Sequence, residues 1–434
     1  MRSPLVVSFF VVGLALLAIT SDRIGVSKAS GIPAAAGSDF STASGQAETA
    51  FTAGAGQLAK LTSSSPAPEL FVGWSVAIAG DTIVVGATGA KVGSNQGQGA
   101  VYVYNKPASG WGDMTQTAVL TASDGQIGDS LGISVAIHGD TIVAGAWEAN
   151  HFVGAVYVFV KPANGWTNMT QTAKLTSSDN LAEGSLGYSV AIDKDTIVAG
   201  APGIVSLGLP SRVYVYSKPA GGWADMTQTA ELSAKGATNG SSFGGAVAVA
   251  GDTLAVSATP QSSAIYVFGK PVGGWRDTSS YAALLTGSDG YCCLNLAMTS
   301  STIVGVLGHG RDEIYVFSKP ASGWVSGVET AGLHTLATHE YLNAVAINAA
   351  GTAILAGSIK ETSGNSGSAY LFLEPKNGWT TTSTFNVKLN ASDQAPVDEF
   401  GTSVAVSNSI AVVGSPVATV DGSQQGAAYV FGHQ

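Results

Sequence analysis

Short apolar runs broken by Gly, Asp, Ser and Thr recur along this chain in a fixed order. One period, taken near residue 134, reads Ser134-Val135-Ala136-Ile137, then Thr141-Ile142-Val143-Ala144-Gly145-Ala146, then Ala155-Val156-Tyr157-Val158-Phe159, then Thr172-Ala173-Lys174-Leu175-Thr176. Runs of this length, rich in β-branched residues and bounded by turn formers, predict strands. They are named A to D in order. Strands A and B lack polar alternation, which suits strands covered on both faces. The A–B connection is typically Gly-Asp, as at Gly80-Asp81, Gly139-Asp140 and Gly251-Asp252. Both residues tolerate the positive φ of a tight hairpin, so these aspartates are read as turn formers rather than as chemistry.

The period is about fifty residues. A Gly-Trp pair places Trp at 111, 166, 223, 275, 324 and 379, each time after a Lys-Pro or Glu-Pro (Lys106-Pro107 through Glu374-Pro375). Strand A begins at Ser75, Ser134, Ser189, Ala246, Asn295, Ala344 and Ser403, which makes seven units. Small residues dominate strands A and B, and aromatic ones gather on strand C and at the tryptophan. That gradient fits blades that crowd at an axis and spread outward. The expected fold is therefore all-β, a seven-bladed β-propeller of four-stranded antiparallel blades over residues 57–434. The seventh unit ends after strand C, but Ala59-Lys60-Leu61-Thr62 repeats Ala173-Lys174-Leu175-Thr176 letter for letter. This N-terminal strand is expected to supply the missing outer strand, closing the ring and removing open edges.

These in-phase motifs resemble the FG-GAP repeat family, the propeller repeat of integrin α-subunits and of many secreted bacterial proteins. Phe243-Gly244 and Phe400-Gly401 carry the Phe-Gly element, with Leu131-Gly132 and Leu186-Gly187 as variants; Gly200-Ala201-Pro202 and, loosely, Gly414-Ser415-Pro416 carry the second. The resemblance implies a seven-bladed propeller used for extracellular binding or adhesion. The family often holds Ca²⁺ in the A–B hairpin on an Asp-x-Asp-x-Asp-Gly-like loop. Here those turns are too short to gather the 6–8 oxygens that calcium takes, so neither metal nor cofactor is expected.

Before the repeats, Arg2 and the apolar run Leu5–Ile19 read as a secretory signal over residues 1–29, with no sharp A-x-A cleavage motif. A Gly/Ala/Ser/Thr-rich flexible linker covers 30–56. The expected location is secreted, extracellular or periplasmic, with no stable membrane span after cleavage. The formal charge of −10, from 19 Lys+Arg against 29 Asp+Glu, and the lack of a basic run exclude a nucleic-acid footprint. The two cysteines, Cys292 and Cys293, are adjacent. Two readings stand for them, a pair of buried thiols or a vicinal disulfide.

Candidate chemistry is sparse. Gly-x-Ser-Val-Ala recurs because it is strand A, so Ser134, Ser189 and Ser403 are read as inert core serines rather than nucleophiles. His339-Glu340 lacks the second His of a zinc-protease motif, since position 343 is Asn. The tryptophans, all in one slot, are read as packing anchors. Variation concentrates in the B–C and D–A loops of one face, at 88–98, 147–153, 202–211 and 359–366. Binding residues are expected there: Trp147, Glu148, Asn150, His151 and Phe152 first, then Arg311 and Tyr341, with Tyr291, His309, His339 and Glu340 behind them. The expected function is non-enzymatic binding of an extracellular protein or glycan by a monomer. A sugar-binding lectin and a propeller lyase or hydrolase are the alternatives.

Overall fold

The structure, a computed structural model, describes Phe51 and residues 55–433 apart from 205–206, 236–238, 259–262, 309–311, 336–339 and 361–365. The signal at 1–29, most of the linker at 30–56, and the candidates Arg311, His309 and His339 lie outside the described residues. The side chain of Glu340 does as well.

Each A–B hairpin turns where the Gly-Asp pair predicts. Gly80, Gly139 and Gly251 have φ of +54°, +54° and +58°; in unit 3 a lysine, Lys194, takes the same conformation at +52°. The following Asp keeps negative φ, the pattern of a type II′ turn, which matches the twist of the strands it joins. In unit 2 strand A (Val135–His138) pairs antiparallel with B (Thr141–Ala146), B with C (Ala155–Val160), and C with D (Ala173–Thr176). The same order recurs in seven sheets, an all-β propeller.

The sheets hold four to five strands rather than four throughout. A two-residue piece from the C–D connection of the following unit adds a parallel fifth strand at the rim. Met114–Thr115, Met169–Thr170, Met226–Thr227 and Gly327–Val328 all do this. Side chains beside these pieces reinforce them. Gln171 accepts from the Ser123 N–H and donates to its hydroxyl, and Gln228 treats Ser178 in the same way.

The cores lie between blades. Successive residues of a strand face opposite sides, so Val84, Val101 and Val103 pack towards unit 2, while Ile83, Val85, Tyr102 and Tyr104 pack against Ala405, Val412 and Val430 of unit 7. The N-terminal strand, Ala55–Thr62, pairs antiparallel with the last strand, Ala427–His433. Ala59 faces Val430 and Lys60 faces Tyr429, as Ala173 faces Val158 and Lys174 faces Tyr157. It starts two residues before the boundary expected at 57. Phe51, inside the segment expected to be linker, is fully buried between units 6 and 7. It precedes Ala59 by eight residues, the spacing of Trp275 to Ala283. It therefore takes the place of a seventh tryptophan.

The strand-A serines are buried in the core, and each makes a hydrogen bond there. Ser75 Oγ donates to Gly132 O at 2.7 Å, and Ser134, Ser189 and Ser403 donate to Gly187 O, Gly244 O and Gly73 O at 2.8 Å. Each bond joins one blade to the next, and the last links unit 7 to unit 1. The acceptor glycines have φ between +88° and +95°. Opposite each serine, strand B also carries a glycine: a Cβ on Gly86, Gly145, Gly200 or Gly414 would sit 1.8–2.0 Å from the acceptor carbonyl. That close approach is what the glycine of the second motif allows.

Candidate functional site

The variable face is built by the B–C and D–A loops. Most of its strained backbone repeats from unit to unit. Phe71, Ser130, Ser185, Ser242 and Glu399 all have positive φ and all stand just before the apolar residue of the Phe-Gly element. Recurrence makes them part of the frame. One segment has no counterpart among the described residues: Asn150, His151 and Phe152 follow one another at φ +52°, +58° and +63°. They form a single left-handed turn within Ala149–Phe152, the one helical turn in the loop expected to bind. Each non-glycine residue held there costs roughly 1–2 kcal/mol.

That turn is firmly held. Phe152 N–H donates to Glu148 O, Gly154 N–H to Ala149 O, and Ala149 is buried. The D–A loop leading into unit 3 ties down the far side, with Ser185 and Leu186 N–H donating to Phe152 O and Val153 O at 2.8 and 3.1 Å. The rigidity places three rings together. Trp147 meets Phe152 edge to face at 5.5 Å between centroids, and Tyr188 at 5.6 Å. All three are partly exposed, whereas strand-C rings such as Tyr157 and Phe159 are buried. Trp147 thus packs on its own loop and still presents surface. Tyr188 is the residue that sequence reasoning missed. It precedes strand A of unit 3, so no local pattern joins it to Trp147. The signal open to inspection is its slot, where the other units hold Trp74, Ile133, Gly245, Leu294, Asn343 and Thr402.

Next to Trp147 in the chain, Glu148 is half-buried. Its Oε2 accepts from Ser130 Oγ at 2.9 Å, and among the described residues no Lys or Arg pairs with it. Burial pushes its carboxyl above the ordinary value, the Ser130 bond pulls it back, and the charge of Asp129 adds to the rise. Asp129, itself buried, is raised in the same way, first by burial. Asn150 and His151 are exposed at the tip.

The other expected residues do not join this site. Tyr341 belongs to strand A of unit 6 (Glu340–Ile347) and pairs with Ile359, so it is a strand residue rather than a loop one, at least two units from Trp147 either way round. Tyr291 is half exposed in unit 5. Next to it, Cys292 and Cys293 are fully buried and joined by an S–S bond of 2.03 Å. The thiol-pair reading gives way to the vicinal disulfide in this structure. The Gly-Trp tryptophans pack on the core: Trp166, Trp223 and Trp275 are 4–6 % exposed, and Trp111, Trp324 and Trp379 lie half-buried against it. Among the described residues no group of three His, Cys, Asp or Glu is placed to hold a metal ion, and no helix is long and apolar enough to cross a membrane.

The FG-GAP repeat pattern matches residues 55–104, 114–159, 169–216, 226–268 and 384–431, more than half of the chain. The chain belongs to the FG-GAP repeat family. No curated protein matches it. Within this FG-GAP propeller, the unmatched stretch is 269–383, which contains units 5 and 6 and the disulfide. The fold and family are consistent with a binding or adhesion role.

Proposed function

We propose that this FG-GAP propeller is a non-enzymatic extracellular binding or adhesion module that presents the loops of one face to a protein or glycan. One observation carries the reading. On a scaffold where most strained positions repeat, the loop at 147–153 is, among the described residues, the one with three consecutive left-handed residues, and it carries part-exposed rings. Backbone strain of this kind persists where the surroundings over-determine it, and it gathers at functional sites. Loops on a rigid frame are also where binding residues concentrate. A lectin that repeated one sugar platform per blade would need the Gly-Trp rings exposed alike, and Trp166, Trp223 and Trp275 are buried.

The test is a glycan array combined with a pull-down from the extracellular proteome, run with the parent chain and with a Trp147→Ala/Phe152→Ala double variant that keeps its cooperative melting. Any partner recognised by this face should lose at least tenfold in affinity, about 1.4 kcal/mol. Partners that bind the variant unchanged would move the site off the loop.

A further inference from the structure

We propose that the Cys292–Cys293 disulfide is a redox latch at the junction of units 4 and 5. Closed, it holds the chain where it enters unit 5; a dithiol reductant opens it and releases the loop at 287–294. The inference does not rest on a binding role for the loop at 147–153 and is tested separately from it.

The first observation is a seat built for a sulfur atom. On strand B, the residue that faces the strand-C tyrosine is Val85, Ala144, Ala199, Val256, Ala356 or Val413 in the other six units. Unit 5 alone has a glycine there, Gly305, opposite Tyr315. Its φ is not left-handed, so the backbone does not require a glycine. A Cβ on Gly305 would stand 2.2 Å from Cys293 Sγ and 2.7 Å from Cys293 Cβ. The sulfur thus fills space that a side-chain carbon occupies in every other blade.

The second observation is what the bond constrains. Cys292 and Cys293 take the place of Leu131-Gly132 in unit 2. Both are fully buried, packed with Ala246 and Ile265 of unit 4 and with Leu296 and Met298 of unit 5. A bond between neighbouring cysteines closes the smallest loop two cysteines can, so it restricts the unfolded chain least. Its effect is local. It fixes two residues at a junction that lacks the left-handed glycine and its inter-blade hydrogen bond. Ser257 Oγ to Leu294 O, at 3.4 Å, is a long substitute.

The third observation is a route to the surface. The interior is close-packed, and a seat made by omitting one Cβ admits one sulfur bonded to its neighbour. Two thiols need full van der Waals separation, so one of them must move, and the loop before them must move with it. Tyr291 directly precedes Cys292 and is 51 % exposed. Its N–H donates to Asp289 Oδ1 at 3.0 Å, and the Tyr315 hydroxyl donates to Asp289 Oδ2 at 3.3 Å. The loop is therefore wired to the same tyrosine that faces Gly305.

Opening follows thiol–disulfide exchange. One thiolate of the reductant attacks a cysteine sulfur, breaking the S–S bond and forming a mixed disulfide. The second thiolate closes the reductant's own disulfide and expels that cysteine. Two electrons pass to the protein and two protons complete its thiols. Since both sulfurs are buried, attack needs an opening of the loop, and local opening is far less costly than unfolding the ring.

The experiment treats the full chain with dithiothreitol at about pH 8, where thiolates form. Thiols are counted by mass after alkylation, and amide hydrogen exchange is read segment by segment. Two thiols should appear at least about tenfold faster than the chain unfolds, the unfolding rate being extrapolated from urea. Exchange over 287–294 should accelerate by about tenfold or more, exchange over Ala155–Val160 should not change, and reoxidation should reverse the effect. Cys292→Ala/Cys293→Ala should exchange fast over 287–294 without reductant and ignore its addition. Reduction no faster than global unfolding overturns the proposal, because the bond is then an ordinary core disulfide. Unchanged exchange over 287–294 after reduction overturns it too, as do two free thiols before any reductant is added. Should the double variant fail to fold, the cycle of reduction and reoxidation on the parent chain decides alone.

Discussion

Units 2 and 5 meet the blades before them in different ways. Unit 2 offers Leu131-Gly132-Ile133-Ser134. Its Gly132 carbonyl takes the hydroxyl of Ser75, and Gly86 opposite leaves room for that carbonyl. Unit 5 offers Cys292-Cys293-Leu294-Asn295 at the same place. The left-handed glycine is gone, and in unit 4 the strand-B glycine is gone with it. Ser257 stands there, and strand A has Ala246 where units 1, 2, 3 and 7 have serine. The hydroxyl has crossed the ladder. Ser257 Oγ accepts from Ala246 N–H at 2.8 Å and reaches Leu294 O at 3.4 Å, one residue beyond the lost glycine. At the next junction Val306 and Leu342 replace both glycines, and Asn295 Nδ2 reaches Asn343 O, again one residue on. Five junctions keep both glycines, and these two lose both. The glycine pair is thus one device: the strand-B glycine is needed only while a left-handed glycine pushes its carbonyl across. Both lost left-handed glycines, at Cys293 and Leu342, lie within the stretch 269–383 that the family pattern does not match.

The seam between the last and first units tests how far the ring depends on its covalent break. The N-terminal segment contributes the strand Ala55–Thr62, the buried Phe51 and Gln57, whose side chain accepts from Ser392 N–H as Gln171 does from Ser123 N–H. A chain beginning at Ser63 should lose more than about 5 kcal/mol relative to one beginning at Ser30, because Phe51 and Leu61 leave the core together. Urea melts of the two chains decide it. Coincident transitions would mean that the inner bond Ser403–Gly73 and the strands around it hold the ring unaided.

The glycine device gives the second contrast. Gly145→Ala places a methyl 1.8 Å from Gly187 O and 2.7 Å from Ser134 Oγ, and the main-chain carbonyl has no flexible end to yield. It should destabilise by about 3 kcal/mol or more. Ser257→Ala, at the matching position of unit 4, removes one weak inter-blade bond and one main-chain partner, for about 1 kcal/mol. Equal costs in chemical denaturation would break the comparison between the two kinds of junction.

Much of this was legible in the chain because it repeats. Strands, turns, unit count and the match of Ala59–Thr62 to Ala173–Thr176 all rest on local patterns seen several times. What escaped lies between units. The bond from Ser134 to Gly187 spans 53 residues, and nothing in either tetrapeptide announces it. Met169–Thr170 is too short to show strand periodicity, so the fifth strands were invisible. Phe51 lacks the glycine that precedes each tryptophan, and so it read as linker. The candidate loop was visible through Trp147 and Phe152, which replace small polar residues of unit 1. The third ring, Tyr188, is a fact of the fold alone.

The smallest expected effect concerns two carboxylate–lysine–tyrosine sandwiches, Asp124–Lys174–Tyr157 inside the ring and Asp393–Lys60–Tyr429 at its seam. Burial pushes the Asp124 carboxyl up, but the hydrogen bond and charge of Lys174 and the Tyr157 hydroxyl outweigh it, leaving the group below its ordinary value. Asp393 is lowered through Lys60 and Tyr429 against the same opposing burial. A carboxylate held low in the folded state contributes stability above the unfolded value of about 3.9, and loses it as the pH falls through the lowered folded value. Asp129, Asp398 and Glu148 act in the opposite sense. Burial raises all three, so the folded chain takes up their protons first, and mild acidification stabilises it. Melting temperature should therefore rise slightly from pH 7 towards pH 5 and fall below pH 4. Asp124 and Asp393 are exposed to solvent screening, and buried Asp129 and Asp398 are held by main-chain N–H groups, so shifts of only a few degrees are expected. Lys174→Met and Lys60→Met should each flatten the fall below pH 4 and leave the rise unchanged, while Asp129→Asn with Glu148→Gln should remove most of the rise alone. Should Lys60→Met lower the melting temperature at every pH while Lys174→Met acts only in acid, the seam strand relies on its ion pair in a way the inner strand does not.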